Sequence, residues 1–588
     1  MLKLFTYLRL KEWLFLLISL GLIVVQVWFD LRIPDYMAEI TIYVQTEGNE
    51  MSDIVASGGK MIFCAFGSLI AAFLVSIMTS RIASNFSASI RKALFYRVQQ
   101  FSLKEINSFS TASLITRSTN DITHIQMLFV MGIQVVFKTP IMVGIALSKI
   151  SGKSREWSFT TGSAVVILLV IVGLSIFLTI KKFNKIQYLT DDLNRITREN
   201  INGIQVLRAY NAENYRSNVF CKTNEELVNT NLYTNIVMSF MNPGISLVMS
   251  GLTLAIYWVG AGIINRAENM EKIKLFSDMV VYSSYATQIV SAFMMLVMVF
   301  IILPRAIVSG KRVAEVMDKK VSVLDGSFLA NEKSEDASLK FKNVSFKYPD
   351  SENNVLSNIN FTANKGETVA IIGSTGCGKT SLVNLIMRFY DVTEGEILVD
   401  GIDVKKYTQK SLRDKIGYVP QKAFLFSGSI RSNVAYSSYF EENIDQKRLS
   451  DAISSSYVHE FMDKMEHGVE SKIAREGANI SGGQKQRISI ARAIYKNPEI
   501  FIFDDSFSAL DYKTDKLVRN EIKEKYSDAI KIIVAQRIGT ILDADKIIVI
   551  DEGKIVGMGN HDTLMQSCEV YQQIAATQLL GGAEKDGE

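Results

Sequence analysis

Six separate stretches of roughly 20 mostly apolar residues run through the first half of this chain, each long enough to cross a hydrocarbon core of about 30 Å as a helix. They fall near 13–29, 61–79, 127–147, 159–180, 236–264 and 276–303. From position 338 onward the pattern changes to short β-rich runs, Gly turns and amphipathic helices, the pattern of a soluble α/β domain. The 588 residues are too many for one ordinary domain, and the change in pattern shows where they divide. We expect a membrane domain over 1–320, a linker over 321–338, a soluble domain over 339–580 and a short tail over 581–588.

The charged residues fit six crossings. The loop 34–60 holds Asp35, Glu39, Glu47, Glu50 and Asp53, whereas the next loop holds Arg81, Arg91, Lys92, Arg97, Lys104 and Arg117. Basic loops stay on the cytoplasmic side, so the first loop faces out and the second faces in. Lys149, Lys153 and Arg155 oppose this rule, because they fall in a loop that must face outward. The first apolar run ends in Trp28-Phe29-Asp30 without a small-residue cleavage site, so it is expected to stay as an anchor. The net charge of +4 is spread along the chain and gives no basic patch for nucleic acid. The cysteines, Cys64, Cys221, Cys377 and Cys568, lie in unrelated contexts and read as free thiols of a reducing compartment.

Within the spans, Lys138 beside Pro140 and the run Asn242-Pro243-Gly244 are costly in lipid and are expected to face a bundle interior or cavity. The last span carries Tyr282, Tyr285, Phe293, Met294, Met295, Met298 and Phe300, an adaptable apolar surface. The polar connections after spans two and four are helical in pattern, so the spans should continue well beyond the bilayer. Segments 110–121 and 198–210 look like short transverse helices at the tips of these hairpins.

The soluble half carries a phosphate-binding motif. Gly373-Ser374-Thr375-Gly376-Cys377-Gly378-Lys379-Thr380 follows a strand-like run and opens a helical one. In such a loop the glycines let backbone N–H groups converge on phosphate oxygens, Lys379 adds positive charge, and the Thr380 hydroxyl is placed to ligate Mg²⁺. Further along, Ile500-Phe501-Ile502-Phe503-Asp504 is a buried apolar strand ending in the carboxylate expected to hold that metal. Between the two, Ser481-Gly482-Gly483-Gln484 caps a helix. ATP and Mg²⁺ are therefore the expected ligands, and the side of the membrane holding this half is cytoplasmic.

Together these motifs resemble those of ATP-binding cassette exporters: a six-span membrane all-α domain of the type IV exporter fold, fused ahead of an α/β P-loop nucleotide-binding domain. The resemblance covers nearly the whole chain and implies a half-transporter, whose Ser481, Gly482, Gly483 and Gln484 would close over ATP bound to a second subunit. It further implies that Tyr348 stacks on adenine, that Gln421 contacts Mg²⁺, and that Ser508-Ala509-Leu510-Asp511 communicates between sites. The tips at 110–121 and 198–210 would correspond to coupling helices.

Two positions depart from the family pattern. Asp505 stands where active members carry the Glu that orients or deprotonates the attacking water, and its carboxylate falls short by more than about 1 Å. Gln536 stands where they carry a His, and an amide donates a hydrogen bond but exchanges no proton. Misplacement on that scale costs about 10²-fold and lost general-base help about 10²–10⁴-fold. The expectation is a site that binds ATP and cleaves it slowly, in a heterodimeric multidrug-type exporter of a bacterial plasma membrane, moving amphipathic substrates with a companion half-transporter. An ATP-gated channel or regulator, or a slow homodimeric lipid or peptide exporter, are the alternatives. The acid of Arg475-Glu476-Gly477 also sits one position from its usual place.

Overall fold

The computed structural model describes residues 2–46, 50–151, 155–329, 338–349, 351–438 and 444–583. Glu47, Lys153, residues 330–337 of the expected linker, 584–588 of the expected tail and the side chain of Phe300 lie outside the described residues. The chain forms two units, Met1–Gln100 with Phe109–Lys319, and Phe101–Ser108 with Lys320–Glu588.

Among the described residues six helical spans are long and apolar enough to cross a membrane; the first five expected runs fall within them, while 276–303 runs past the sixth, Glu271–Leu296, along the helix Asn269–Asp318. In lipid every backbone N–H and C=O must find an internal partner, which a helix provides. At 1.5 Å per residue the 49-residue helix Met51–Gln99 is about 73 Å long, far more than a bilayer core needs. The 48-residue Arg155–Asn202 likewise runs on beyond its apolar part. The helices pack through Ile23, Val27, Trp157, Leu168, Ile256, Tyr282 and Ile289. Phe63, Phe66, Phe73, Phe159, Phe177 and Trp258 remain exposed, as a lipid-facing surface requires. Helices approach closely where a side chain is absent: a Cβ on Gly260 would sit 2.6 Å from the Met279 sulfur.

The first helix extends further than the sequence suggested. It spans Leu10–Gln45 with Pro34 inside it, so Asp35 and Glu39 lie on a helix, not in a loop. Proline supplies no N–H to the carbonyl four residues earlier. That carbonyl, on Asp30, accepts instead from Gln288 Nε2 at 3.2 Å, and the Leu31 carbonyl accepts from Lys149 Nζ and the Tyr285 hydroxyl, both at 3.1 Å. These side chains satisfy the broken turn, which lets the helix continue.

The same contacts account for the lysine that broke the charge rule. Lys149 forms an ion pair with Asp35, whose other oxygen accepts from the Tyr285 hydroxyl at 2.5 Å. Its charge is cancelled where it stands. Pro243 acts differently: the helix pair Glu213–Ser239 and Met241–Arg266 breaks at Phe240, where the Ser239 carbonyl has lost the N–H that residue 243 would have donated. Tyr282, Tyr285 and Phe293 turn into the bundle, whereas Met294, Met295 and Met298 are exposed.

The second unit contains a six-stranded sheet in the order Lys554–Gly559, Lys546–Asp551, Thr368–Gly373, Ile530–Val534, Ile500–Asp504, Ile416–Val419. Only the first strand is antiparallel to its neighbour. The central strands are buried on both faces, which is why they read as unbroken apolar runs. Phe501 and Phe503 face one core, Ile500 and Ile502 the other. A second, antiparallel sheet places Ser338–Phe346 between Leu356–Asn364 and Glu394–Val399.

The short helix expected within 110–121 is present as Thr111–Ser118, and a second short helix precedes it. The short helix that groups with the nucleotide unit is Leu103–Ser108, ahead of 110–121. Leu103 packs on the core of that unit, Asn107 Nδ2 donates to the Tyr390 hydroxyl at 3.2 Å, and Glu105 accepts from Ser102 N and Oγ at 2.9 and 2.7 Å. The 110–121 segment holds the helix Thr111–Ser118 and the start of Asn120–Ser151, both in the membrane unit. Part of the expected linker is also built in, since Arg388 donates to the Leu324 carbonyl and Gln409 N to Asp325.

Candidate functional site

Parallel strands leave a crevice at their carboxyl ends, and the strand order decides which chain ends meet there. Thr368–Gly373 and Ile500–Asp504 flank Ile530–Val534, so the phosphate loop, the Asp504-Asp505 pair and Gln536 converge although they are far apart in sequence. They line a cleft of about 430 Å³ together with Tyr348, Gln421 and the residues Thr375, Gly376, Gly378, Lys379 and Thr380. Gly373, Ser374 and Cys377 complete the loop behind this lining.

The loop geometry depends on glycine. Gly376 and Gly378 have φ of 86° and 102°, in the left-handed region that a side chain strains. The helix Lys379–Ile386 begins directly after Gly378, with its unpaired N–H groups toward the cleft. Lys379 Nζ folds over the loop and donates to the carbonyls of Gly373 and Ser374 at 2.7 and 2.8 Å. Tyr348 stands at the rim, its hydroxyl 2.9 Å from Ser381 Oγ and its ring edge-on to Phe346 and Tyr390.

Asp504 is buried, and its carboxyl is hydrogen-bonded by Thr380. Burial, and after it the charge of Asp505, push its pKa up to about 6. Asp505 is also raised by burial, against the hydrogen bonds of Gln421 and Ser508. Among the described residues no group of three His, Cys, Asp or Glu side chains gathers to hold a metal. Any divalent ion here would draw its ligands from Thr380, Asp504, Gln421, water and phosphate oxygens.

The two unusual positions touch. Gln536 Nε2 donates to Asp505 Oδ2 at 2.8 Å, and Gln421 Nε2 donates to the same oxygen at 3.1 Å. Asp505 has φ of 48°, its N–H donates to the Val534 carbonyl at 2.9 Å, and its carbonyl accepts from Ser508 Oγ at 2.8 Å. The shortened acid is therefore fixed at both backbone and side chain, with one oxygen occupied by two amide donors.

Ser481, Gly482, Gly483 and Gln484 do not line the cleft. Ser481 caps the helix Gly482–Tyr495, its Oγ accepting from Gln484 N while its own N–H donates to Gln484 Oε1. A side chain at Gly483 would approach the Ala509 carbonyl to 3.2 Å, so this helix start leans on the Ser508–Asp511 loop. Glu476, the displaced acid, has φ of 56°.

One contributor had no signal in the sequence. Gln578, on the C-terminal helix Glu569–Ala583, donates to the Gln536 carbonyl at 2.7 Å and accepts from Ile538 N at 2.8 Å. This two-point amide contact holds the turn that carries Gln536. No motif spacing reaches position 578, which reads as one polar residue among others on its helix.

Comparison with known proteins supports both units. A family described as ABC transporter matches residues 356–508, and one described as ABC transporter transmembrane region matches residues 15–293. An uncharacterized ABC transporter ATP-binding protein of Mycobacterium bovis is 34% identical over 533 residues, covering 89% of this chain and 88% of the relative. A Bacillus subtilis protein of the same description is 32% identical, with 89% of each chain covered. An ATP-dependent lipid A-core flippase of Saccharophagus degradans is 29% identical, covering 87% and 84%. The solved structure of a bacterial Atm1-family ABC exporter with ATP bound has the same fold, with a TM-score of 0.82, 22% identity, and 96% and 98% of the two chains covered.

Proposed function

The chain belongs to the ABC transporter family as a multi-pass exporter half-transporter with an ATP-binding domain, and we propose that it serves as the slowly hydrolysing half of a heterodimeric exporter. The observation that carries this reading is the Asp505 carboxylate, whose Oδ2 takes hydrogen bonds from the amides of Gln421 and Gln536. The Oδ2 oxygen so engaged has little capacity left to take a proton from water, and neither amide can relay one.

The rest of the cleft is suited to holding ATP. Lys379 leaves its carbonyl partners for the phosphates, the helix start behind it contributes N–H groups, and Tyr348 offers a ring to the base. Thr380 and Asp504 fit Mg²⁺, because a cation offsets both the burial and, after it, the repulsion from Asp505 that raise the Asp504 pKa. When bound, the metal would neutralise charge on the phosphates.

Because Ser481–Gln484 lie outside this chain's own cleft, they are free to cover ATP held by a companion subunit. The companion would carry Glu and His at the positions of Asp505 and Gln536 and would perform most of the hydrolysis. Closure of the nucleotide domains would be passed to the spans by segments such as Leu103–Ser108, giving alternating access. The nucleotide unit would face the cytoplasm from a bacterial plasma membrane.

The substrate we propose is an amphiphile of the multidrug type. A second reading, lipid translocation, is favoured by relatives described as lipid A-core flippases in Saccharophagus degradans and Hahella chejuensis. ATP hydrolysis by the purified chain, alone and with a co-expressed homologous half-transporter, tests the asymmetry. The chain alone should be slow and the pair fast; brisk hydrolysis by the chain alone would overturn it.

A further inference from the structure

The membrane unit contains a partly open cavity of about 260 Å³, below the size of a drug-sized ligand pocket and adequate for a headgroup. Gln26, Gln134, Lys138 and Gln288 bring polar atoms to its wall, and Met142 and Met295 supply pliable apolar surface beside them. Lys138 is the charged group on this wall, and it is already paired: its ammonium lies 3.1 Å from Asp30 Oδ2, while Ser68 donates to the other carboxylate oxygen. The polar wall thus carries one positive charge cancelled from behind.

That arrangement sets a charge rule for any occupant. An anion gains Lys138 but meets Asp30 behind it, and a cation meets Lys138 first, so either leaves an uncompensated charge in a low-dielectric site. A group without net charge but with several donors and acceptors escapes this cost and is served by three amides, of which Gln134 and Gln288 keep one N–H and the carbonyl oxygen after donating to Thr79 and to the Asp30 carbonyl. We propose that this cavity selects the headgroup of a transported amphiphile for zero net charge and many hydrogen-bonding groups, with its apolar chain lying along the methionines. This rests on the reading of the chain as an exporter subunit and adds the substrate class.

The test is equilibrium binding to the full-length chain in lipid nanodiscs without nucleotide, using octyl-chain probes below their micelle concentrations. Tritiated octyl glucoside is displaced by unlabelled octyl glucoside, an octyl sulfobetaine, octyl sulfate or octyltrimethylammonium. The neutral and zwitterionic probes should compete at least roughly tenfold better than either charged one, and their ranking separates a polyhydroxyl from a zwitterionic headgroup. Asp30→Asn should shift the preference toward octyl sulfate by about tenfold or more, and Lys138→Met toward octyltrimethylammonium. The double variant, which leaves no lone charge to destabilise the fold, should return to the neutral preference. A charged probe binding best to the native chain, no saturable binding, or single variants without a shift would overturn the proposal. None of these outcomes reads ATP hydrolysis, so the asymmetric-site reading stands or falls separately.

Discussion

The two units treat a half-buried carboxylate in opposite ways. In the membrane unit Asp35 is paired with Lys149 and capped by the Tyr285 hydroxyl, so its charge is cancelled. In the nucleotide cleft Asp505 is held by the neutral amides of Gln421 and Gln536, so its charge is oriented and kept. A bilayer offers no water or counterion, and an unpaired charge there is expensive, whereas the cleft opens to solvent and to cationic partners. On the proposed reading, neutral clamping preserves binding while removing proton transfer, and ionic clamping preserves the fold.

This contrast can be broken most severely in the cleft. Replacing both unusual residues, Asp505→Glu with Gln536→His, should raise the ATPase rate of the chain by roughly 10²-fold or more, measured by phosphate release. An unchanged rate would show that the amide clamp is not what limits turnover. Next in size, Lys379→Ala should weaken ATP binding to the chain by about 10–10²-fold in a nucleotide-binding titration, because a charge-assisted phosphate contact is lost.

In the membrane unit the expected effect is on stability. Asp35→Asn should lower it by about 1–3 kcal/mol in thermal unfolding, the pair being partly exposed, by leaving Lys149 without its counter-charge. The double change Asp35→Asn with Lys149→Met should recover part of that loss, which a purely local hydrogen-bond effect would not do. The smallest effect should come from Gln578→Ala, which frees the turn bearing Gln536. A two- to fivefold loss in ATP affinity, about 1 kcal/mol or less, is expected, and Gln578→Glu should be worse because it reverses one of the two contacts.

Much of this protein was legible along the chain, and particular residues show why the remainder was not. The spans could be read because an apolar run long enough to cross lipid leaves a helix as its only continuous solution. The phosphate loop could be read because Gly376 and Gly378 adopt backbone angles that other residues strain to reach. Lys149, by contrast, violates the charge rule along the sequence and is accounted for only by Asp35 on another helix. The short helix within 110–121 is legible and forms as Thr111–Ser118, whereas the grouping of Leu103–Ser108 with the nucleotide unit is not, since it rests on Leu103 and Asn107 meeting distant partners.

What the sequence determined by itself is local and compositional: the two unlike halves, the helical spans, the phosphate loop, and the presence of Asp505 and Gln536 where Glu and His are expected. Tertiary structure decided which side chains meet. The parallel strand order brings Asp505, Gln421 and Gln536 to one point, Gln578 reaches their turn from the final helix, and Ser481–Gln484 stay outside the cleft. Backbone preference and solvent set the first group within a few turns of chain; packing between distant segments sets the second, and no window of sequence contains both partners.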